Sequence, residues 1–334
     1  MSVKNKNAAR IVWLILLLAC AALSVCIGVG VGTVHFSVSE IIRALWAEED
    51  SAARLLIWNL RLPRVLCGGL TGICLSLSGC ILQGVMRNTM ASPSTIGVTS
   101  GAGFIGYLTL AAFPAYGFLL PVGSVLGAFC VTMLIYLLAY QRGVSPVKMI
   151  LAGMAVSALF GAFNDTIRLL FADSLGNASA FLVGGFNGCG WESFYRILPY
   201  AACGIFVCCF LPSKMNVLML GDETASSLGL HTELFRFVLI AVSSLLAGAA
   251  ISVGGMIGFV GLIVPHIARL LVGSDHTYLF PVSACLGFVL LALCDTLGRV
   301  LLPAGEIPVG IILSLLGAPF FLWLLRSREK GGGE

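Results

Sequence analysis

The chain has 334 residues, 59% of them hydrophobic and only 10% charged, with a net charge of +4 and a mean hydropathy of +1.03. Soluble domains carry about a quarter of their residues as charged side chains, so composition excludes a soluble enzyme or binding module, and the small positive charge bears on membrane topology and not on nucleic acid. Length alone would allow roughly two or three soluble domains, but no polar stretch is long enough to fold by itself, and one integral membrane domain over 1–334 is expected.

A bilayer span needs about 20 apolar residues. The first such run, 11–32, follows the basic flank MSVKNKNAAR. It is long for a signal peptide and has no clear small-x-small cleavage site, so it reads as a first span. Further segments follow at 60–82, 94–112, 117–140, 147–170, 194–212, 233–254, 257–272, 278–299 and 307–325, which makes ten, the eighth being short. Lysine and arginine favour cytoplasmic flanks. In this register Lys4, Lys6, Arg10, Arg87, Arg142, Lys148, Lys214, Arg269, Arg326, Arg328 and Lys330 share the cytoplasmic side, both termini included, while Glu48, Glu49 and Asp50 fall outside.

Of twelve cysteines, Cys20, Cys26, Cys67, Cys74, Cys80, Cys130, Cys203, Cys208, Cys209, Cys285 and Cys294 sit in apolar segments, where cysteine acts as a small hydrophobe. No CxxC occurs and the four histidines are scattered, so no metal site is expected.

Polar islands interrupt the spans. In NLRLPR, Arg61 and Arg64 are three apart and so share a helix face, with Pro63 tolerated in a first turn. They read either as arginines snorkelling to headgroups or as a cationic dock for an acidic external partner. In LGDETASSLGL, Asp222 caps a short helix and Gly229 ends it, leaving a piece too short to cross anything. It reads as a surface turn or, through Ala225, Ser226 and Ser227, as a helix seated in a cleft of another protein. In 257–276, IGFVGLIVPHIARLLVGSDH, Pro265 and His266 break the span near its inner end and Arg269, Asp275 and His276 reach the cytoplasmic face. His266 reads as a packing residue in preference to a ligand. Asp295 and Arg299, four apart, form a structural ion pair, with a proton relay at Asp295 as the alternative. Pro308, Gly310, Gly317 and Pro319 imply a kinked, closely packed last span.

Four blocks together resemble FecCD-type permeases, the transmembrane subunits of ABC importers for iron-siderophores, haem and cobalamin. They are RLPRVLCGGLTGICLSLSGCILQGVMRNTMASPSTIGVTSGAG, LGDETASSLGL, IGFVGLIVPHIARLLVGSDH and EIPVGIILSLLGAPFFLWLL, in the family's order from about 55 to 326. The resemblance implies an all-α polytopic membrane protein of about ten transmembrane helices with the BtuC-like ABC importer permease fold, in a bacterial cytoplasmic membrane. Implied partners are a second permease subunit, as homodimer or heterodimer, two cytoplasmic ABC ATPases, an extracytoplasmic substrate-binding protein and a metal-chelate substrate. It assigns docking of the binding protein to Arg61, Arg64 and Arg299, and ATPase coupling to Gly221, Asp222, Glu223, Ala225, Leu228 and Gly229. Gln83, Asn88, Pro265, His266 and Arg269 are candidates for the translocation path or its gate. Where the family has Asn-Pro-Leu-Ala, this chain has Asn88, Thr89, Met90 and Ala91, which loosens that turn.

No GxxxxGK[ST] is present, so ATP and Mg belong to a partner ATPase and the chain itself carries no cofactor and is not an enzyme. Alternating access driven by that partner is the expected mechanism. The rival, an ion-coupled secondary transporter, would need midplane carboxylates that the sequence lacks.

Overall fold

The computed structural model describes residues 3–32, 34–46, 51–140, 146–171, 176–302 and 305–331, and almost all of this backbone is helical. Glu48, Glu49, Asp50 and Arg142 lie outside the described residues. Helix α1 (Val3–Gly30) leads to a short α2 (Val38–Trp46) that opens on a capping box, Glu40 N–H donating to Ser37 Oγ at 3.3 Å and Ser37 N–H to Glu40 Oε2 at 2.7 Å. There follow α3 (Ala52–Val85), α4 (Val98–Ala112), α5 (Leu120–Ala139), α6 (Pro146–Leu170) and α7 (Gly176–Val183). The chain then forms α8 (Trp191–Phe210), α9 (Pro212–Leu218), α10 (Asp222–Ser227), α11 (Thr232–Gly254), α12 (Val260–Val272), α13 (His276–Val300) and α14 (Val309–Gly331).

Among the described residues, seven helices, α1, α3, α5, α6, α8, α11 and α13, are long and apolar enough to cross a membrane. The other three predicted segments coincide with shorter apolar helices, α4, α12 and the Val309–Leu324 part of α14. Two of these are short because backbone that the apolar count placed inside a span is irregular. Residues 93–97 turn before α4, and 255–259 bend tightly before α12, with Gly255 at φ +70° and Phe259 at φ +67°.

Irregular backbone at membrane depth must find partners within the protein. Here the partners are other breaks. Gly185 N–H donates to Gly254 O at 2.8 Å, Met256 N–H to Phe181 O at 2.9 Å, and Gly310 N–H to Gly184 O at 3.1 Å. The ends of α7, α11 and α14 thereby close on one another.

α3 is the central helix and packs most extensively on α13 and α11, then on α8 and α12. Its glycines let backbones touch, as transmembrane packing favours. A Cβ on Gly72 would stand 2.0 Å from Gly287 O on α13, and one on Gly79 would stand 1.9 Å from Gly261 O on α12. Pro265 lies inside α12 without ending it, contrary to the expected break at Pro265 and His266. The break precedes the helix, and the cost of the proline is met by a neighbour described below.

Gly72→Val is expected to force α3 from α13 and to cost at least the upper end of the roughly 1–3 kcal/mol typical of overpacking. Gly161→Ala, which has open space around it, is the control. Thermal unfolding of both variants in detergent measures the difference, with the midpoint lowered only for Gly72→Val.

Candidate functional site

Two polar clusters occupy opposite ends of α3. The first surrounds Pro63. The backbone just before it, Leu55–Arg61, widens to a π-helix closed by Leu62 N–H on Ile57 O. Proline has no N–H and crowds the carbonyl four residues back, so a wider turn is accommodated there. Arg61 turns to the end of α1 and Arg64 to α13.

Arg61 is 8% exposed. Its Nη1 donates to Val29 O at 2.9 Å, its Nη2 to Val34 O at 2.7 Å, and the guanidinium lies 4.9 Å over the Phe36 ring. Arg299, also buried, donates from Nη2 to Gly28 O at 2.6 Å and to Thr296 Oγ1 at 3.1 Å. The last carbonyls of a helix have no intrahelical partner and carry its negative pole. Arg61 and Arg299 together cap the C-terminus of α1, a duty that local spacing does not reveal.

Arg64 grips Asp295 with two prongs, Nε to Oδ2 and Nη2 to Oδ1, both at 2.9 Å, and reaches Glu306 Oε2 from Nη1 at 2.8 Å. Asp295 is 3% exposed. The expected Asp295–Arg299 pair is present but secondary, with Arg299 Nε 3.6 Å from Asp295 Oδ2. Two adjoining cavities of about 230 and 300 Å³ share Arg64, Asn187 and Glu306 in their walls. Glu306, visible in the sequence only as part of EIPVG, is the functional neighbour that sequence reasoning missed. It lies 242 residues from Arg64, beyond any local pattern.

The second cluster lies where α3 ends. Asn88 N–H closes on Gln83 O at 3.1 Å and Arg87 N–H on Gly84 O at 3.2 Å, a Schellman turn with Arg87 in the left-handed region at φ +46°. A non-glycine residue there is strained by about 1–2 kcal/mol. The Arg87 side chain is tied to Asp222, whose Oδ1 also accepts from Arg236 Nη2 at 2.7 Å. Asp222 therefore joins α10, α11 and the end of α3. It does not cap α10 as expected, because Gly221 holds the N-cap position at φ +117°. Gly229, at φ +82°, ends α10 as expected, with Leu230 N–H on Ala225 O at 3.0 Å.

Ala225 is 0% exposed, packed against its own chain, which overturns its expected seating in another protein. The i, i+3 spacing on so short a helix does not reveal which face turns inward. Asp222, Glu223, Thr224, Ser226, Ser227, Leu228 and Gly229 are exposed, together with Met219 and Leu220 before the helix.

Of the gate candidates, Gln83, Pro265 and Arg269 come together. Pro265 cannot donate to the carbonyl four residues back, that of Gly261, and Gln83 Nε2 lies 3.4 Å from that oxygen. Gln83 Oε1 accepts from Arg269 Nη1 at 3.0 Å. Asn88 Oδ1 accepts from Met90 N–H at 2.9 Å, which holds the turn that lacks the family's proline. His266 is half-buried, edge-on to Phe320 at 6.0 Å.

His276 does not reach the surface as expected. It is buried, with N–H and Nδ1 both facing Asn216 Oδ1 at 3.0 and 2.8 Å. Asp275 caps α13 through Thr277 N–H at 3.0 Å and accepts from Asn216 Nδ2 at 2.8 Å. Burial opposes its ionisation, but Asn216, Thr277 and Arg10 more than offset this and hold the carboxyl below its usual range.

Asp295→Ala strands Arg64 and is expected to cost about 3–5 kcal/mol, as removal of one partner of a buried pair does. Glu306→Ala, which removes a 39% exposed partner, is expected to cost no more than about 1 kcal/mol. The two unfolding midpoints, compared in one detergent, check this ranking.

The sequence profile of the FecCD transport family matches residues 16–327. A Bacillus subtilis Fe(3+)-citrate import system permease protein, YfmE, is 36% identical over 318 residues, covering 95% of each chain. The Halobacterium salinarum cobalamin import system permease protein BtuC is 40% identical over 280 residues, 83% of this chain and 75% of that one. A solved inward-facing structure, assigned to the metal-chelate type of ABC transporter, superimposes with a TM-score of 0.84 at 31% identity, covering 94% of this chain and 98% of that one.

Proposed function

Because the chain belongs to the FecCD transport family, we propose that it is the membrane-spanning permease subunit of an ATP-driven importer of metal chelates. The observation that carries this reading is the match along 95% of the chain to a permease of an iron-citrate import system. The helices long enough to span a bilayer agree with it. The substrate class follows the chelates named for the relatives, which include iron-citrate, cobalamin and hemin. An ion-coupled carrier gains no support, since Asp295, the carboxylate buried within a span, is committed to Arg64.

In this reading the chain is one integral membrane domain in a bacterial cytoplasmic membrane. Basic flanks place both termini and the α10 end in the cytoplasm and the arginine cluster outside. Two permease copies, identical or related, enclose a path that opens alternately to each side. Two ATPases bind ATP and Mg and press on α10 through its exposed face. That face is Leu228, 63% exposed, with Leu220 beside it, and not Ala225. Asp222 then passes displacement of α10 to α11 and to the end of α3. At the outer mouth an acidic binding protein competes with Glu306 for Arg64, whose position Asp295 fixes, while Arg61 and Arg299 hold the adjoining end of α1.

Uptake of a ferric chelate by proteoliposomes is expected to require the cognate ATPase and ATP. Uptake driven by a proton gradient without them would refute the reading. Leu228→Arg is expected to leave the permease's own stability within about 0.5 kcal/mol, as surface changes do, and to abolish co-purification of the ATPase. Ala225→Arg, by contrast, is expected to destabilise the permease itself, and equal melting of the two variants would place the contact elsewhere.

A further inference from the structure

Helix α2 divides its surface three ways. At 3.6 residues per turn, Ile41 and Ala44 fall on one side, and both are buried in a cluster with Val29 at the end of α1 and Ile57 of α3. Ser39, Glu40 and Arg43 fall on a second side, and all three are exposed. Val38, Ile42 and Trp46, each four residues from the next, form the third side, an apolar stripe that the chain leaves open, with Trp46 85% exposed.

The level of α2 in the membrane follows from α1. The apolar part of that helix, Asn7–Gly30, rises about 36 Å at 1.5 Å per residue, against a hydrocarbon core of about 30 Å, so Gly30 stands at the headgroup boundary. α2 is tied to that level. Phe36 N–H donates to Gly30 O at 3.0 Å, and a Cβ on Gly30 would stand 3.3 Å from Ile41 Cδ1. The two helices that pack on α2 also present apolar surface, with Leu23 and Ile27 of α1 and Leu55, Trp58 and Leu60 of α3 all exposed.

We infer that Val38, Ile42 and Trp46 seat α2 in the bilayer at the boundary between headgroups and acyl chains, with Ser39, Glu40 and Arg43 turned to water. An interfacial helix needs an apolar face beside a polar one, and tryptophan collects at that boundary because its ring is apolar and its N–H polar. The stripe carries no charge, and Glu40 and Arg43 beside it cancel, so the contact comes from apolar burial and not from attraction to anionic lipid. The same neutrality distinguishes it from the arginine cluster, where the permease reading places an acidic protein. Seated in this way, α2 holds the end of α1, which Arg61 and Arg299 cap, at a fixed depth. The leaflet is the outer one if the permease reading holds, and contact with lipid does not depend on that reading.

The test reconstitutes the full chain in phosphatidylcholine vesicles and reads the tryptophan emission that Trp46→Phe removes. Trp46 is one of five tryptophans, and the difference between the two proteins isolates it. Lipid brominated near the headgroup end of its chains is expected to quench most of this emission, lipid brominated at the chain ends less, and aqueous iodide little. The quenching is expected to be the same with and without phosphatidylglycerol. It is expected to fall in Ile42→Glu, a change at an exposed position that leaves the unfolding midpoint in place. Emission open to iodide and unquenched by either lipid overturns the inference, because the stripe then faces water. Emission untouched by all three quenchers overturns it as well and assigns the stripe to a protein contact. Quenching that appears only with phosphatidylglycerol, or that Ile42→Glu leaves unchanged, overturns the apolar seat. None of these readouts uses transport, so vesicles that fail to transport count against the permease reading alone.

Discussion

The bond between Arg64 and Asp295 depends on how closely α3 and α13 approach, and the rest of the packing follows from that approach. Arg64 and Gly72 are eight residues apart on α3, and Gly287 and Asp295 are eight apart on α13. The helices are antiparallel, so Arg64 lies opposite Asp295, Gly68 beside Leu291 O, Gly72 against Gly287 O, and, further on, Gly84 beside His276. A buried carboxylate without a partner is costly by several kcal/mol, and its partner is 231 residues away in the chain. The glycines set the distance at which the pair can form. The ion pair sets the register, because a slip of one residue would separate its two prongs.

The same cost of leaving buried charge and backbone carbonyls unpaired explains why Arg61, Arg299 and Gln83 are not free for other work. Arg61 and Arg299 are occupied by the carbonyls that end α1, and Gln83 by the carbonyls near Pro265. Their charge and polarity are real, but they are spent on the backbone of this chain. Arg64 differs in having one carboxylate partner that is buried and one that is half-exposed. A second acid could replace Glu306 without disturbing Asp295, which singles out Arg64 among the three arginines as the group open to exchange.

Much of this was readable in the sequence, and the exceptions have identifiable causes. Among the described residues, apolar length located the seven helices long enough to cross a membrane and three shorter apolar ones, since hydropathy reports where a chain can sit in lipid. It overestimated α4 and α12 because the turn at 94–97 and the bends at 257–259 run without a break into apolar helical sequence. The pair Asp295–Arg299 was visible because it is local. Arg64–Asp295, Arg64–Glu306 and Arg87–Asp222 were not, being made between distant segments. The inward turn of Ala225 was illegible for a different reason, since a helix of six residues has too little pattern to distinguish its faces.

The two clusters are joined by one helix. The outer part of α3 is held to α13 by Arg64, and its last turn is held to α10 by the strained Arg87 through Asp222. Between them α3 and α13 keep one antiparallel register with backbones in contact, a seam that cannot slide without driving Gly72 and Gly287 into side chains. Such a pair moves as a rigid body. Relative motion within the chain then falls to the segments where helices are already interrupted, 184–190 and 255–259, whose hydrogen bonds run to one another and to α14. A displacement entering at α10 would reach the arginine cluster through a stiff rod, and the bundle would yield at its breaks.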